Sequence, residues 1–337
     1  MAKAVILAGG QGERFWPLTH AGFPKYRIRF QGDRSLLQRT YDRLKKVYGA
    51  DNIYVITTAA HAQFIRKELP KLPKKHILTE PARNNTGPAI YLACSKLREA
   101  FGDKEVVSFF PADQLIQNEA AFKGSLRQAL RLASQKDVLV TLGIRPTFPA
   151  TGYGYIEKGP AVRGYPGSFA VKRFVEKPNR QKAAKYLKRG GFFWNAGIFV
   201  WKLEVFFKAM RLHCPAIVRS FDAKKPAASY AKLPKISIDY ALMEKAPNTA
   251  LVPTSMDWCD MGNWHMLLEK SPRDTKRVYA EGLYYHHDVQ DSLVVNQTNT
   301  PLIVLGLSGI IAVQTARGTL ICPKDRAEEA ALLAKKL

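Results

Sequence analysis

The chain has no long apolar run. Nothing in its 337 residues approaches the ~20-residue stretch that spans a bilayer. The N-terminus also lacks a charged start followed by a longer apolar stretch and a cleavage site. A cytoplasmic location and no membrane partner are therefore expected. Cysteine is scarce: Cys94, Cys214, Cys259 and Cys322 are scattered, with no C-x-x-C pair and no His/Cys cluster. That argues against a zinc module or a disulfide framework, and leaves four small core residues in a reducing compartment. The histidines form no relay, and His286-His287 reads as a strand-edge or surface pair. Acidic side chains are also few, 28 against 52 basic ones, for a net charge of +24. Such a balance favours anionic partners. The basic residues come as pairs, such as Lys45-Lys46, Lys74-Lys75 and Lys224-Lys225, and no nucleic-acid-binding motif accompanies them. A solvated basic surface is expected, without a nucleic-acid partner.

What is present is ordinary for a globular protein: 46% hydrophobic and 24% charged residues, in a length that suits one large domain plus a small one. The informative stretch is 5–26, VILAGGQGERFWPLTHAGFPKY. An apolar run leads straight into Gly9, Gly10 and Gly12, then Arg14, Pro17 and Pro24-Lys25. Glycines after a strand let backbone N–H groups approach a phosphate, and Arg14 and Lys25 add fixed positive charge. Each part alone has a bland reading, a tight turn or a surface lysine. The string is not the dinucleotide fingerprint, because Phe15 stands where a third glycine would be needed. It is not a P-loop either, since no Gly-Lys pair lies near it.

Strands are expected at 52–57, 76–79, 105–110 and 138–143, alternating with helices at 59–69, 86–101 and 119–133. Thr86 would cap the second of these, with Pro88 in its first turn. The alternation predicts an α/β fold, a Rossmann-like, mostly parallel sheet with helices on both faces. Ligands in such sheets sit beyond the carboxyl ends of the strands, where Gly9-Gly10, Glu80 and Asp113 fall. A strand ending at Glu176-Lys177-Pro178, a helix at 180–188, a strand at 198–201 and helices at 203–212 and around 239–245 follow. Short strands at 292–296, 302–305, 310–314 and 319–322 and a helix at 326–337 predict a small C-terminal β module of one or two β-helix coils. The expected domains are 1–278 and 279–337, and the second is the candidate surface for a homodimer.

The 5–26 string resembles the L-A-G-G-x-G-x-R-x-W-P-L…P-K signature of sugar-phosphate nucleotidyltransferases, and its Phe15-Trp16-Pro17-Leu18 variant is most similar to the mannose-1-phosphate guanylyltransferases. The resemblance runs from Lys3 to about Trp264. It implies Mg²⁺-dependent conversion of GTP and mannose 1-phosphate to GDP-mannose and pyrophosphate. It assigns Leu7, Ala8, Gly9, Gly10, Gly12, Arg14, Lys25, Glu80, Asn85, Thr86, Pro88 and Asp113 to the nucleotide. Gly152, Glu176, Lys177, Asn195 and Asp260 go to the sugar phosphate, and Asp113 and Asp260 to the metal. Arg14, Lys25, Asp113, Lys177 and Asp260 would carry the chemistry. On the residues alone, Asp113 and Asp260 could equally be turn aspartates, Glu176-Lys177 a strand-end ion pair, Asn195 a turn and Glu80 a strand-end glutamate. Whether Glu80 or backbone groups would read guanine stays open. Three departures from the family pattern are Tyr26 after Pro24-Lys25, Gly87 where alanine is usual, and Gln114 after Asp113. The first two bear on positioning. The chain is shorter than relatives with a C-terminal isomerase domain, so only the transferase activity is expected. Another hexose 1-phosphate, another nucleoside triphosphate, or a non-catalytic nucleotide-sugar sensor are the alternatives.

Overall fold

A computed structural model describes residues 2–10, 12–29, 32–222 and 225–334. Gln11 of the signature string, Lys224 of the Lys224-Lys225 pair and Lys335–Leu337 of the expected terminal helix lie outside the described residues. The chain divides into two compact units, one of Met1–Gly9, Gln38–Ala112 and Ile116–Trp258, the other of Gly10–Leu37, Asp113–Leu115 and Cys259–Leu337. This division differs from the expected boundary at 278. The signature loop and the segment after Trp258 share a core with the C-terminal strands.

The strands up to Trp258 are β1 (Lys3–Leu7), β2 (Ile53–Thr58), β3 (Ile77–Glu80), β4 (Val106–Pro111), the two-residue β5 (Leu115–Ile116), β6 (Leu139–Ile144), β7 (Tyr155–Ala161), β8 (Phe169–Val175), β9 (Phe192–Lys202) and β10 (Thr249–Thr254). Nine of them form one sheet in the order β3-β2-β1-β4-β9-β6-β10-β8-β7. Helix α1 (Leu36–Tyr48) precedes five helices that fall close to their expected places: α2 (Ala62–Glu68), α3 (Thr86–Phe101), α4 (Glu119–Gln135), α5 (Arg180–Arg189) and α6 (Leu203–His213). The expected mostly parallel sheet is corrected to a mixed one. Strands β1 to β4 are parallel, and so are β6 and β10. Strand β9 runs antiparallel to β4, β6 and β7, and β8 is antiparallel to β7 and β10. The physical reason is connectivity. A helical crossover returns the chain in the same direction, whereas β8 follows β7 with no helix between them and runs back along it. The unit's core gathers Val5, Ile56, Phe109, Trp201 and Phe206, with helix residues Ile90 and Leu97.

In the second unit, Phe15, Leu18, Ile28 and Leu36 pack with Leu115, Met261, Trp264 and Leu293. After the short β11 (Trp258–Cys259) come β12 (Tyr279–Glu281), β13 (Tyr284–His287), β14 (Leu293–Asn296), β15 (Leu302–Leu305), β16 (Ile310–Thr315) and β17 (Gly318–Pro323). Strands β12, β14 and β16 stack in parallel, β13 pairs in parallel with β15, and β17 closes back on β16 antiparallel. The last helix is Ala327–Ala334. Among the described residues no helix is long and apolar enough to cross a membrane.

Candidate functional site

In the first unit the parallel strands bring Gly9 and Glu80 to one edge, whereas Gly10 and Asp113, expected beside them, fall in the second unit. The end of β1 is fixed from both sides: the Ala8 N–H donates to Ile56 O at 2.9 Å and the Ala112 N–H to Leu7 O at 3.1 Å. A Cβ on Gly9 would stand 3.3 Å from Glu80 Oε1 at the end of β3, so the glycine allows this approach. Glu80 is buried, and the Tyr230 hydroxyl donates to its Oε2 at 2.5 Å. Burial raises the Glu80 carboxyl above its ordinary value, against the opposing influence of the Tyr230 hydrogen bond and the Arg83 charge. Tyr230 is in turn held by Asn84, whose Nδ2 donates to Tyr230 O at 2.6 Å.

Helix α3 starts one step differently from expectation. The cap is Asn85, not Thr86: its side-chain oxygen accepts from the Thr86 N–H at 2.8 Å, from a backbone at φ 69°. Asparagine is among the few residues that tolerate this left-handed region. Pro88 is buried in the first turn, where its missing N–H costs nothing.

A second group of the same unit surrounds Asn195. It does not lie in a turn but within β9, beside a register shift against β6, the kind of bulge that re-aims a side chain. Its oxygen accepts from the Gly197 N–H at 3.0 Å and the Thr141 hydroxyl at 3.1 Å, so its Nδ2 faces Asp239 Oδ1 at 2.9 Å. Glu176 offers one oxygen to the Lys177 ammonium at 2.6 Å, while its Oε2 is buried without a hydrogen-bond partner among the described residues. A buried carboxylate oxygen left unmatched is costly unless a ligand supplies a donor. Lys177 holds φ at 46°, a strained conformation for a non-glycine residue. Desolvation lowers the Lys177 ammonium, but the Glu176 hydrogen bond and charge, with Asp239 and Tyr240, carry it above its ordinary value. Of the two glycines near this group, a Cβ on Gly152 would meet nothing among the described residues, whereas one on Gly154 would overlap Glu176 and press on Asn195 Cβ at 3.3 Å. The glycine that this packing demands is therefore Gly154.

Sequence reasoning missed Gly154, Tyr230 and Asp239. Of these, Asp239 carried a signal, a lone carboxylate in the apolar run Ile236-Ser237-Ile238-Asp239. Desolvation and the neighbouring Glu176 charge push its carboxyl up to about 7, against Lys177 and Asn195. The folded state thus holds the extra proton from about pH 4 to about pH 7, and the stability contributed by this group falls as pH rises through that window. Asp239→Asn should therefore gain stability relative to the parent as pH rises from 5 to 8. Urea unfolding at the two pH values measures this, and equal differences at both would refute it.

In the second unit the signature loop folds back on itself. Gly12, at φ 72°, lies against Lys25, whose side chain a Cβ there would overlap. The Thr19 hydroxyl holds Gly12 O at 2.6 Å, and Arg14 is exposed on a 3₁₀ turn, Glu13–Phe15. Gly10 is exposed, and a Cβ on it would meet nothing among the described residues. The Lys25 ammonium reaches Asp113 Oδ2 at 2.8 Å and the main-chain oxygen of Asp260 at 2.7 Å, across 235 residues of sequence in the second case. Asp260 also accepts from the Gly262 N–H at 3.0 Å, so it is a turn aspartate as well as a neighbour of Lys25. An oxygen-only set of aspartates beside a lysine suits magnesium, which takes one or two carboxylates and leaves room for phosphates and water. Among the described residues no group of three or more His, Cys, Asp or Glu could hold a metal without such help.

Comparison with known proteins agrees with the signature. A family model described as nucleotidyl transferase matches residues 3–277. A mannose-1-phosphate guanylyltransferase from Escherichia coli is 32% identical, over 98% of this chain and 72% of that protein. The xanthan biosynthesis protein XanB of Xanthomonas campestris pv. campestris is 34% identical, over 96% of this chain and 71% of that protein. A crystal structure described as mannose-1-phosphate geranyltransferase from Thermus thermophilus superposes with a TM-score of 0.88 at 29% identity, covering 99% of this chain and 98% of that one.

Proposed function

Because the chain belongs to the nucleotidyl transferase family, we propose that this sugar-phosphate nucleotidyltransferase joins GTP and mannose 1-phosphate to give GDP-mannose and pyrophosphate, with Mg²⁺. The observation that carries the reading is the gathering of Asp113 and Asp260 on the Lys25 ammonium. A phosphate oxygen of the sugar phosphate attacks the α-phosphorus of the nucleotide, that bond forms as the α–β bridging bond breaks, and the electron pair leaves with pyrophosphate. The nucleophile is already an anion, so no general base is required; charge neutralisation and alignment supply the rate. Arg14 and Lys25 balance the triphosphate. Lys177 holds the sugar phosphate, and Glu176 and Asn195 take sugar hydroxyls. Asp113 and Asp260 would hold Mg²⁺, which when bound polarises the reacting phosphates.

The substrates rest on the names of the relatives and on the unmatched Glu176 oxygen, which asks for a hydroxyl donor. Pyrophosphate release from GTP and mannose 1-phosphate tests the reading, with ATP, UTP, dTTP and glucose 1-phosphate alongside. Release confined mainly to the first pair is expected. Release with another pair would keep the chemistry and change the substrates. Folded protein that binds a nucleotide sugar but releases nothing would be a sensor.

A further inference from the structure

One short segment of the first unit touches both the nucleotide-side helix and the sugar-side group. Gly87, in the first turn of α3, donates its N–H to Ile236 O at 3.0 Å. The Ile238 N–H donates to the Thr86 hydroxyl at 2.9 Å. The next residue, Asp239, receives the Asn195 amide at 2.9 Å. Beyond it Glu244, bonded through its N–H to Asp239 O at 2.9 Å, accepts the Glu176 N–H at 2.7 Å. Every step is a hydrogen bond, and Ile238 is buried, so the segment has little slack.

We infer that Ile236–Asp239 is a strap that sets the Asn195 amide from the first turn of α3, which makes Gly87 a positioning residue for the sugar phosphate. This rests on the proposed assignment of Asn195 and Glu176 to the sugar. The departure from alanine at position 87 then has a physical cause. A Cβ there would stand 2.7 Å from Ile236 O, closer than real contacts of that kind. One partner must yield. Helix α3 is anchored by a run of buried residues from Gly87 to Cys94 and by Leu97. The strap is irregular backbone up to the turn at Asp239–Met243, so the strap moves. Its displacement reaches Asp239 and tilts the amide that Asp239 holds, while the helix end stays in place. Misplacement on the scale of an ångström is enough to cost large factors in rate.

The test compares Gly87→Ala with the parent in steady-state turnover of GTP and mannose 1-phosphate. The expected result is a KM for mannose 1-phosphate raised about 5- to 20-fold, with the KM for GTP changed less than about twofold. In combination with Asn195→Ala the effects on the sugar phosphate should be less than additive, because both act through one amide. A folded Gly87→Ala with an unchanged KM for mannose 1-phosphate, or with only the GTP value raised, overturns the inference. Hydrogen exchange on the unaltered protein gives a second readout that does not depend on the variant folding. Mannose 1-phosphate alone should slow exchange at residues 236–240 and at 86–90. Protection confined to 152–157 and 192–197 overturns the strap. Absence of turnover from mannose 1-phosphate with any nucleotide would instead fail the substrate assignment.

Discussion

Asp113→Asn should lower Mg²⁺-dependent turnover about 10²- to 10³-fold, the scale set by losing one preorganised electrostatic contact to the reacting charge. The substitution is nearly isosteric. The amide oxygen can still accept from the Lys25 ammonium, which now sits 2.8 Å from Asp113 Oδ2 and 2.7 Å from Asp260 O. What disappears is the negative charge. Magnesium binds anionic oxygen far better than an amide, and Lys25 is left with one carboxylate fewer beside it. The side chain of Asp113 is partly exposed and belongs to no apolar cluster, so unfolding should change by less than about 1 kcal/mol. Steady-state rates over a magnesium titration, with thermal melts on the same samples, separate the two effects. Near-parental turnover at ordinary magnesium would remove Asp113 from the metal site.

Trp264→Ala should cost about 3–5 kcal/mol, the usual range for emptying a large aromatic site. Trp264 is 1% exposed. Its ring meets Phe15 edge-on with centroids 5.0 Å apart, and its Nε1 donates to Trp16 O at 3.0 Å. These contacts join the signature loop to the Trp264–Lys270 helix, whose start is capped by Asn263. Removal leaves a cavity among Phe15, Leu18, Met261 and Leu267 and strands a carbonyl that had a donor. Trp264→Phe should recover most of the packing but not the hydrogen bond. Urea unfolding of the pair measures both parts, and a loss below about 1 kcal/mol for the alanine variant would show that the cluster repacks.

The parallel half of the sheet was legible because each strand from β1 to β4 is an apolar run followed by a helical pattern. In the other half β6, the end of β8 and the apolar core of β9 were legible, but β7 and β10 were not. Strand β10 contains Pro253, which normally argues against a central strand, yet it runs beside β6 with Gly143 as its partner. Strand β9 is longer than its apolar core because Asn195 and Gly197 interrupt the pattern at the register shift. The same contrast holds at the site. Lys25, Asp113, Lys177 and Asp260 stand in recognisable strings, and the resemblance named them. Tyr230 and Asp239 act through partners 150 and 44 residues away, and no local spacing announces such pairs. Gly154 was passed over for Gly152 because both stand in one glycine-tyrosine run, and only packing tells them apart.

The left-handed backbone at Lys177 has a consequence for laboratory evolution. A glycine there would relax a conformation that lysine holds at a cost of about 1 kcal/mol or more, but it would also take the cation from Glu176, whose side chain is 7% exposed and would be left a buried charge without that partner. Selection for heat resistance would therefore keep a cation at position 177 in spite of its backbone. A library ranked only by melting would retain the lysine whatever its part in the reaction, so its survival there would say nothing about turnover.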